Sequence, residues 1–493
     1  MVPNSDQIVV KMALIDIESR KQLFLDDYLL ESLHNTRPVL NRSRKCENNP
    51  VLRPDRPWEG NHVTLSRVEF EAGDGIFKMW YSTQSYGGTR GEDGKVIVEE
   101  GGGKICLATS RDGVSWKKPD LGLVEYKGST SNNILPPENF KPYFFQDLHE
   151  VDPSRRYKGL TRSEKNGMKF DLFFSPDGLE WTPHEDNPVI DTSDLPGRWG
   201  PTDFMGWDPI RKVYAVHMEN CHHRKCPLGK RVIGRSESPD MVSWSDAETI
   251  IIPDGGDYPD TEFYAMPVIS YEGIYIGLLW NFRTTNTTHY PELVSSRDGI
   301  HYRRPYREPF IVQGGAGDFD GVSIYAGSPV VHGDKILIYY SGVNWRSPET
   351  LLELGDRAGG AIGLATIPLD GFVSLDGNKG LPPGMASEGK GLESFSQAVT
   401  RSFSFTGRQL YLNMRSALQQ WGAGPCEIRV ELLGPTYEPL PGYTFGDSDP
   451  MTETGISQVV SWKGGSQIDH LAGAPVKLRF YFKNAKIYSF QFR

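Results

Sequence analysis

The feature that most restricts the fold of this chain is an internal repeat with a period of about 60 residues. Four copies of a Ser-x-Asp turn each carry an aromatic residue four positions after the Asp, and a degenerate fifth copy follows. The copies are Ser110–Trp116, Ser175–Trp181, Ser238–Trp244, Ser296–Tyr302 and Ile367–Leu375. Short strand-like runs separated by tight turns precede every copy. Five ordered units of this kind predict an all-β fold with a five-bladed β-propeller. Two stacked sandwiches with chance similarity between hairpins are the alternative.

The Asp-turn motif is itself predicted to be structural. Ser and Asp side chains cap tight turns by accepting backbone N–H bonds, and the aromatic residue is expected to pack between blades. We assign no catalytic role to these turns.

The pattern changes after the repeats. Residues 377–391 are rich in Gly, Pro and Ser and predict a linker. Residues 392–493 contain short runs with alternating apolar and polar positions, which predict a C-terminal β-sandwich. We therefore assign residues 46–376 to the propeller and expect residues 1–45 to form an N-terminal extension that packs on it.

Composition excludes several classes of partner. A net charge of −10 disfavours nucleic acid, and no apolar run approaches the length of about 20 residues that spans a bilayer. The five cysteines are scattered and odd in number, so we expect no disulfide framework. No secretory pattern is visible at the N-terminus, and we expect a cytoplasmic protein. A small carbohydrate substrate is compatible with this charge. The sequence decides neither for nor against a homo-oligomer.

Polar residues cluster where the innermost strand of each predicted blade begins. Because all five of these strands start on one face of a propeller, their first side chains converge on one pocket. Such a cluster of carboxylates points to proton transfer or cation binding, although some members could cap turns or pair with basic side chains. The catalytic candidates are Glu59, Asp147, Asp203, Glu262 and Asp320. The substrate-binding candidates are Asn61, His62, Trp199, His222, Asp260, Tyr264, Arg283 and Tyr325.

Metal and cofactor signals are weak by comparison. The segment Cys221–Cys226 packs two Cys and two His into six residues, too close together for an ordinary tetrahedral zinc site. We predict no cofactor and no metal site from sequence motifs. A structural calcium ion among the convergent carboxylates stays open.

Five predicted blades with central carboxylates, followed by a sandwich, resemble one glycoside hydrolase superfamily. It contains invertases, levanases and inulinases (family 32) and arabinofuranosidases and xylosidases (family 43). The resemblance implies an exo-acting hydrolase of fructoside- or arabinoside-type furanosides or small oligosaccharides, in which one carboxylic acid protonates the leaving oxygen and a second carboxylate acts as base or nucleophile. By position it implies Glu262 as the acid and Asp203 as the orienting or pKa-modulating residue. Glu59, Asp147 and Asp320 compete for the role of base.

The chain departs from the invertase motifs, since it has no WMNDPNG segment and its RDG copies are turns. Glu219-Asn220-Cys221 only loosely matches the invertase Glu-Cys pair. A non-catalytic sugar-binding propeller, a glycoside phosphorylase and a lyase are the alternatives. A phosphorylase would need a basic phosphate site, for which residues 222–225 are the dense candidate.

Overall fold

The computed structural model describes residues 14–137, 143–163, 168–195, 199–220, 229–377, 395–416 and 425–493. The chain divides into two compact units. One is Arg42–Pro368, and the other joins the residues up to Asn41 with Leu369–Arg493. None of the helices in the described ranges combines the length and the apolar character that crossing a membrane requires.

Five short strands come before the first long hairpin. They are β1 (Ile15–Asp16), β2 (Gln22–Leu23), β3 (Leu30–His34), β4 (Pro38–Leu40) and β5 (Arg44–Lys45). The first four belong to the second unit and pair with strands from the C-terminal part of the chain. The sheets of the second unit therefore take up these strands as hydrogen-bonding partners, and packing of residues 1–45 on the propeller stays a prediction.

The unit Arg42–Pro368 contains five successive antiparallel meanders, one for each predicted repeat. The first is β6 (His62–Glu71), β7 (Ile76–Arg90), β8 (Val96–Ser110) and β9 (Ile134–Leu135). The second is β10 (Tyr143–Gln146), β11 (Tyr157–Arg162), β12 (Lys169–Ser175), β13 (Thr182–Pro183) and β14 (Ile190–Asp191). The third is β15 (Trp199–Asp208), β16 (Val213–Asn220), β17 (Val232–Ser238) and β18 (Glu248–Ile251).

The last two meanders follow the same plan. The fourth is β19 (Thr261–Phe263), β20 (Val268–Tyr271), β21 (Ile274–Arg283) and β22 (Thr288–Ser296). The fifth is β23 (Ser323–Ala326), β24 (Val330–His332), β25 (Lys335–Val343) and β26 (Gly360–Pro368), with helix α1 (Pro348–Leu354) between β25 and β26. Strand β5 pairs with β26, and Gly360 of β26 pairs in parallel with His62 of β6, so the first and fifth meanders are neighbours.

The Asp-turns are structural, as predicted. In the first copy, Ser110 Oγ accepts the N–H of Gly113 at 2.9 Å, and Asp112 Oδ1 accepts the N–H groups of Val114 and Ser115 at 2.8 and 2.7 Å. The residue after the Asp has a positive φ in each of the four copies, which glycine adopts most easily. Met241 fills this position in the third copy at φ 73°.

Each of the first two turns is tied to the neighbouring meander. The hydroxyl of Tyr339, in the fifth meander, donates to the carbonyl of Gly113 at 2.7 Å. The indole N–H of Trp80, in the first meander, donates to the carbonyl of Gly178 at 2.9 Å. These two turns therefore also hold neighbouring meanders together.

The second unit consists of β-sheets built from both ends of the chain. Its later strands are β27 (Val373–Asp376), β28 (Ser396–Thr400), β29 (Phe403–Ser404), β30 (Leu410–Ser416), β31 (Glu427–Leu433), β32 (Gly455–Val459), β33 (Lys477–Lys483) and β34 (Ala485–Phe492). One sheet has the order β32-β30-β34-β27-β4 with β2 on β34, and another has the order β3-β28-β33-β31. Alternate residues of both sheets, such as Phe490 and Phe480, meet in one apolar core, which is how a β-sandwich packs. Most of the predicted linker lies outside the described residues.

Candidate functional site

One pocket of Arg42–Pro368, called the main pocket below, has a volume of about 490 Å3. All five meanders contribute to its wall, mainly through their first strands and the residues beside them. The wall combines carboxylates, guanidinium groups and aromatic rings. It includes Thr64, Arg67, Tyr143, Arg162, Asp203, Glu219, Arg231, Tyr264, Trp280, Tyr325 and Ser328.

Asp203 is a buried carboxyl group of this wall. It lies on β15, its Oδ2 accepts the N–H of Val268 at 3.2 Å, and the same oxygen is 4.0 Å from Nδ1 of His217. Burial raises the pKa of Asp203 to about 6, although the positive charge of Arg67 opposes the rise. Burial also holds the pKa of His217 well below its usual value, so this imidazole is neutral.

Glu219 is the second buried carboxyl group of the pocket. His217 pairs with Asp203 across β15 and β16, and Glu219 lies two residues further along β16, so it projects from the same sheet face as His217. Burial raises the pKa of Glu219 to about 7, against the opposing charge of Arg231. The negative charge of Glu262 adds to this rise.

Arg231 joins Glu219 to Glu262. Its Nε is 2.7 Å from Glu219 Oε1, and one of its terminal nitrogens donates to Glu262 Oε2 at 2.7 Å. The guanidinium carbon also lies 5.1 Å from the centre of the Tyr264 ring, within the range of a cation–π contact. Arg231 therefore contacts both glutamates, and Glu219 and Arg231 line the same pocket as Asp203.

Aromatic residues of the fourth and fifth meanders form another side of the pocket. The indole N–H of Trp280 donates to the carbonyl of Ala326 at 2.9 Å, and its ring lies 5.0 Å from that of Tyr325. The hydroxyl of Tyr325 is 3.0 Å from Nδ1 of His289, which stacks on Phe282. Burial lowers the pKa of His289 to about 3, so His289 holds the tyrosine as a neutral partner. Flat rings beside polar groups suit the binding of a sugar.

Three of the predicted catalytic carboxylates lie elsewhere, in paired networks. They are Glu59, Asp147 and Asp320, and none lines the main pocket. Glu59 is fully buried and accepts hydrogen bonds from Tyr81 at 2.6 Å and Lys118 at 2.7 Å. Asp147 pairs with Lys158, and Asp320 is 2.6 Å from Nζ of Lys45.

The predicted substrate-binding residues divide in the same way. Tyr264 and Tyr325 line the main pocket. Asn61 instead binds the backbone of Tyr86, and Trp199 is buried in the apolar core of the second and third meanders.

The polar members of this set that do not line the pocket have protein partners. His62 is buried, with Nε2 3.1 Å from Thr64 Oγ1, and burial lowers its pKa to about 4. Asp260 and Arg283 form an ion pair at 2.7 Å, and that contact with Arg283 lowers the pKa of Asp260 to about 2. His222 lies outside the described residues.

Sequence reasoning missed the residues that most shape the pocket. Glu219 was noted only through its place in Glu219-Asn220-Cys221, although it lies next to the last residue of β16. Arg67, Arg162 and Arg231 were missed because they lie within or next to strands rather than at the starts of the inner strands. The signal for Arg67 is a charged residue in the middle of a strand, because such a residue requires a partner when it is buried.

No group of three or more His, Cys, Asp or Glu side chains within the described ranges is arranged to hold a metal ion. The structural calcium ion considered from the sequence stays an untested prediction.

No protein-family model matches the sequence, and no curated protein matches it. Similar solved structures include a glycoside hydrolase at 13% identity and a TM-score of 0.44, covering 67% of this chain and 92% of that chain. A β-1,2-mannobiose phosphorylase from Listeria innocua is 12% identical with a TM-score of 0.42, covering 67% of this chain and 97% of that chain. A thermostable family-43 glycoside hydrolase is 14% identical with a TM-score of 0.42, covering 67% and 98%. Similarity at this level identifies neither a family nor an activity for this chain.

Proposed function

We propose that this chain is a carbohydrate-active enzyme that hydrolyses O-glycosidic bonds, with Glu219 as the general acid and Asp203 as the carboxylate base or nucleophile. The observation that carries the proposal is the pair of buried carboxyls in one pocket, whose pKa values are raised to about 6 for Asp203 and about 7 for Glu219. Between these values Asp203 is mostly ionised while Glu219 is mostly protonated. Acid–base glycoside cleavage requires this combination of states.

In the proposed reaction, Glu219 donates its proton to the leaving oxygen as the bond to the anomeric carbon breaks. Asp203 either takes a proton from a water that attacks the anomeric carbon, or attacks that carbon itself to form a glycosyl ester. In the second case the Glu219 carboxylate deprotonates a water, which hydrolyses the ester and frees Asp203. The Glu219 carboxylate formed by proton transfer is stabilised by Arg231, which is already 2.7 Å away. Glu262, expected from the sequence to be the acid, is proposed instead to hold Arg231 in place through its own ion pair.

We also propose that the five meanders close into a five-bladed β-propeller around this pocket. Three features support closure. All five meanders contribute to the wall of one pocket, and Gly360 of the fifth pairs with His62 of the first. Strand β5, from the start of the unit, pairs with β26 near its end, which fastens the two ends of the repeat together.

The proposed substrate is a small neutral oligosaccharide. A pocket of about 490 Å3 lies within the usual range for small-ligand sites, and Tyr264, Trp280 and Tyr325 provide aromatic surface. Furanoside specificity, of fructoside or arabinoside type, stays a prediction from the sequence, as do exo action and a cytoplasmic location.

A glycoside phosphorylase is the second candidate. It is favoured by Arg67, Arg162 and Arg231, because guanidinium groups in the wall of the pocket could bind inorganic phosphate as the attacking group. The segment 222–225, proposed from the sequence as the phosphate site, lies outside the described residues.

The test is turnover of aryl β-fructofuranosides, α-arabinofuranosides, β-xylosides and β-galactosides, with and without inorganic phosphate. We expect hydrolysis without phosphate and a bell-shaped pH dependence of kcat/KM, rising through about pH 6 as Asp203 ionises and falling above about pH 7 as Glu219 ionises. Product anomers followed by NMR separate the two roles of Asp203. The double variant D203N/E219Q is the inactive control.

Turnover only with phosphate would establish the phosphorylase instead. If the folded protein binds sugars but the double variant and the wild type behave alike, the chain is a binding module and the proposal is wrong.

A further inference from the structure

A second cavity, of about 430 Å3, shares three strands with the main pocket. Along β6 the residues Thr64–Arg67 line the main pocket, whereas Arg67 and Glu69 line the second cavity. On β10 and β15 the earlier residues likewise face the main pocket and the later ones face the second cavity. The two cavities therefore follow one another along the same three strands.

Arg67 is the residue that lines both cavities. Its Nε donates to Glu69 Oε1 at 2.7 Å, and a terminal nitrogen donates to Ser328 Oγ at 3.3 Å. Glu69 belongs to the second cavity and Ser328 to the main pocket, so the guanidinium group is held at their junction. The pairing of β6 with β7 shifts by one residue between Leu65 and Arg67, a β-bulge that re-aims the side chain.

Arg67 on β6 and Asp203 on β15 both line the main pocket, so the guanidinium group and the carboxyl group face the same cavity. Other titratable groups that interact with Asp203 are His217 on β16, Tyr143 on β10 and Tyr302 in the fourth repeat. Burial keeps His217 neutral, and the phenols carry no charge near neutral pH. Arg67 is thus the cation of this set, and its effect on Asp203 opposes that of burial.

We propose that Arg67 is a positioning residue whose charge, shared between Glu69 in the second cavity and Asp203 in the main pocket, keeps Asp203 available as a base. The role of Asp203 rests on the proposed function. The electrostatic coupling of Arg67, Glu69 and Asp203 does not, because it can be measured without substrate.

The test compares three variants by the titration of Asp203, observed by NMR with 13C-carboxyl-labelled aspartate and assigned by the signal lost in D203N. R67M removes the charge and keeps much of the bulk, and we expect it to raise the pKa of Asp203 by at least about one unit. R67K keeps the charge, and we expect a value within about half a unit of wild type. E69Q releases Arg67 from its counter-charge, and we expect the pKa of Asp203 to fall.

Kinetics provide the second readout. The ascending limb of the plot of kcat/KM against pH should shift with the titration of Asp203. It should move to higher pH in R67M and to lower pH in E69Q, while KM for the substrate changes little. A merely structural role for Arg67 would lower activity without moving the limb. The matched control is R44M, which removes a mostly exposed arginine paired with Glu47 and should move neither the limb nor the titration.

The proposal is overturned if folded R67M and E69Q both leave the pKa of Asp203 within about 0.3 unit of wild type. If R67M does not fold, the opposite shift expected for E69Q decides the question. If the titration moves as expected but no glycoside is cleaved, the coupling stands and the proposed function fails.

Discussion

The Asp-turns of the repeats and the main pocket place the same kind of side chain in opposite electrostatic situations. In the first turn, Asp112 accepts two backbone N–H groups, and these bonds, that from Ser115 first, lower its pKa to about 2. In the pocket, Asp203 accepts the N–H of Val268 at 3.2 Å, and burial raises its pKa to about 6. The ionised form of the carboxyl group is therefore stabilised in the turn and destabilised in the pocket.

This difference teaches that burial alone does not distinguish a functional carboxylate. Glu59 is as buried as any acidic residue of the chain, yet Lys118, Tyr81 and two backbone N–H groups neutralise or bind it. Glu219 is 2.7 Å from Arg231, but Arg231 also pairs with Glu262, so its charge is divided between two carboxyl groups. A carboxyl group whose burial exceeds its compensation is ready to exchange a proton near neutral pH.

The largest effect should come from Glu219→Gln, which removes the proposed proton donor at nearly constant shape. We expect kcat/KM for glycosides with poor leaving groups to fall by about 1,000-fold, within the usual range for general acid catalysis. Substrates with acidic leaving groups, such as nitrophenols, should lose far less, because their departure needs little protonation. An equal loss for both classes, measured by steady-state kinetics, would remove Glu219 from the role of acid.

Glu59→Gln tests whether a buried carboxylate with a full set of partners contributes to stability, as the turn carboxylates do, and not to catalysis. Removing its charge leaves Lys118 with less compensation, and we expect a loss of about 3 kcal/mol in the free energy of unfolding. The measurement is urea denaturation monitored by tryptophan fluorescence. The value of kcat should stay near wild type under conditions where the variant is folded, whereas a loss of kcat like that of Glu219→Gln would return Glu59 to the catalytic candidates.

Asp203→Asn tests how the contribution of the Asp203 carboxyl group to the free energy of unfolding changes with pH. The pKa of Asp203 in the folded chain, about 6, lies above its unfolded value of about 3.9, so its favourable contribution is complete below about pH 4 and is lost as the pH rises through 6. Relative to wild type, the variant should therefore gain roughly 2 kcal/mol between pH 4.5 and pH 8. Denaturation curves at both pH values measure this gain, and a pH-independent difference would contradict it.

Asp112→Asn should have the smallest effect on the free energy of unfolding, with a pH dependence opposite in sign to that of Asp203→Asn. The contribution of Asp112 is present above about pH 4 and is lost as the pH falls through 2. Because this carboxylate is exposed to solvent, we expect a loss of only about 1 kcal/mol at pH 7, shrinking toward pH 3. Activity should be unchanged. Comparing the slopes of the two aspartate variants against pH is the most direct test of the difference between the two regions.

Much of the β-architecture could be predicted from local pattern. The spacing of Ser110, Asp112 and Trp116 recurs in each of four copies, and every copy ends a strand of a separate meander. Asp203, Tyr264 and Tyr325 were expected at the site and line the pocket. Local pattern could not predict the partners of the N-terminal strands, since β2 and β3 pair with β34 and β28, hundreds of residues away in the sequence.

The sequence by itself determined the repeat, because a turn capped by its own side chains needs only residues within a few positions of one another. It also determined which strands carry carboxylates. Only the tertiary structure decided which carboxylates lack compensation, since Lys118 reaches Glu59 and Arg231 reaches Glu219 from other strands or loops. Desolvation and ion pairing depend on distances between segments far apart in the chain, and those distances are set by how the meanders pack.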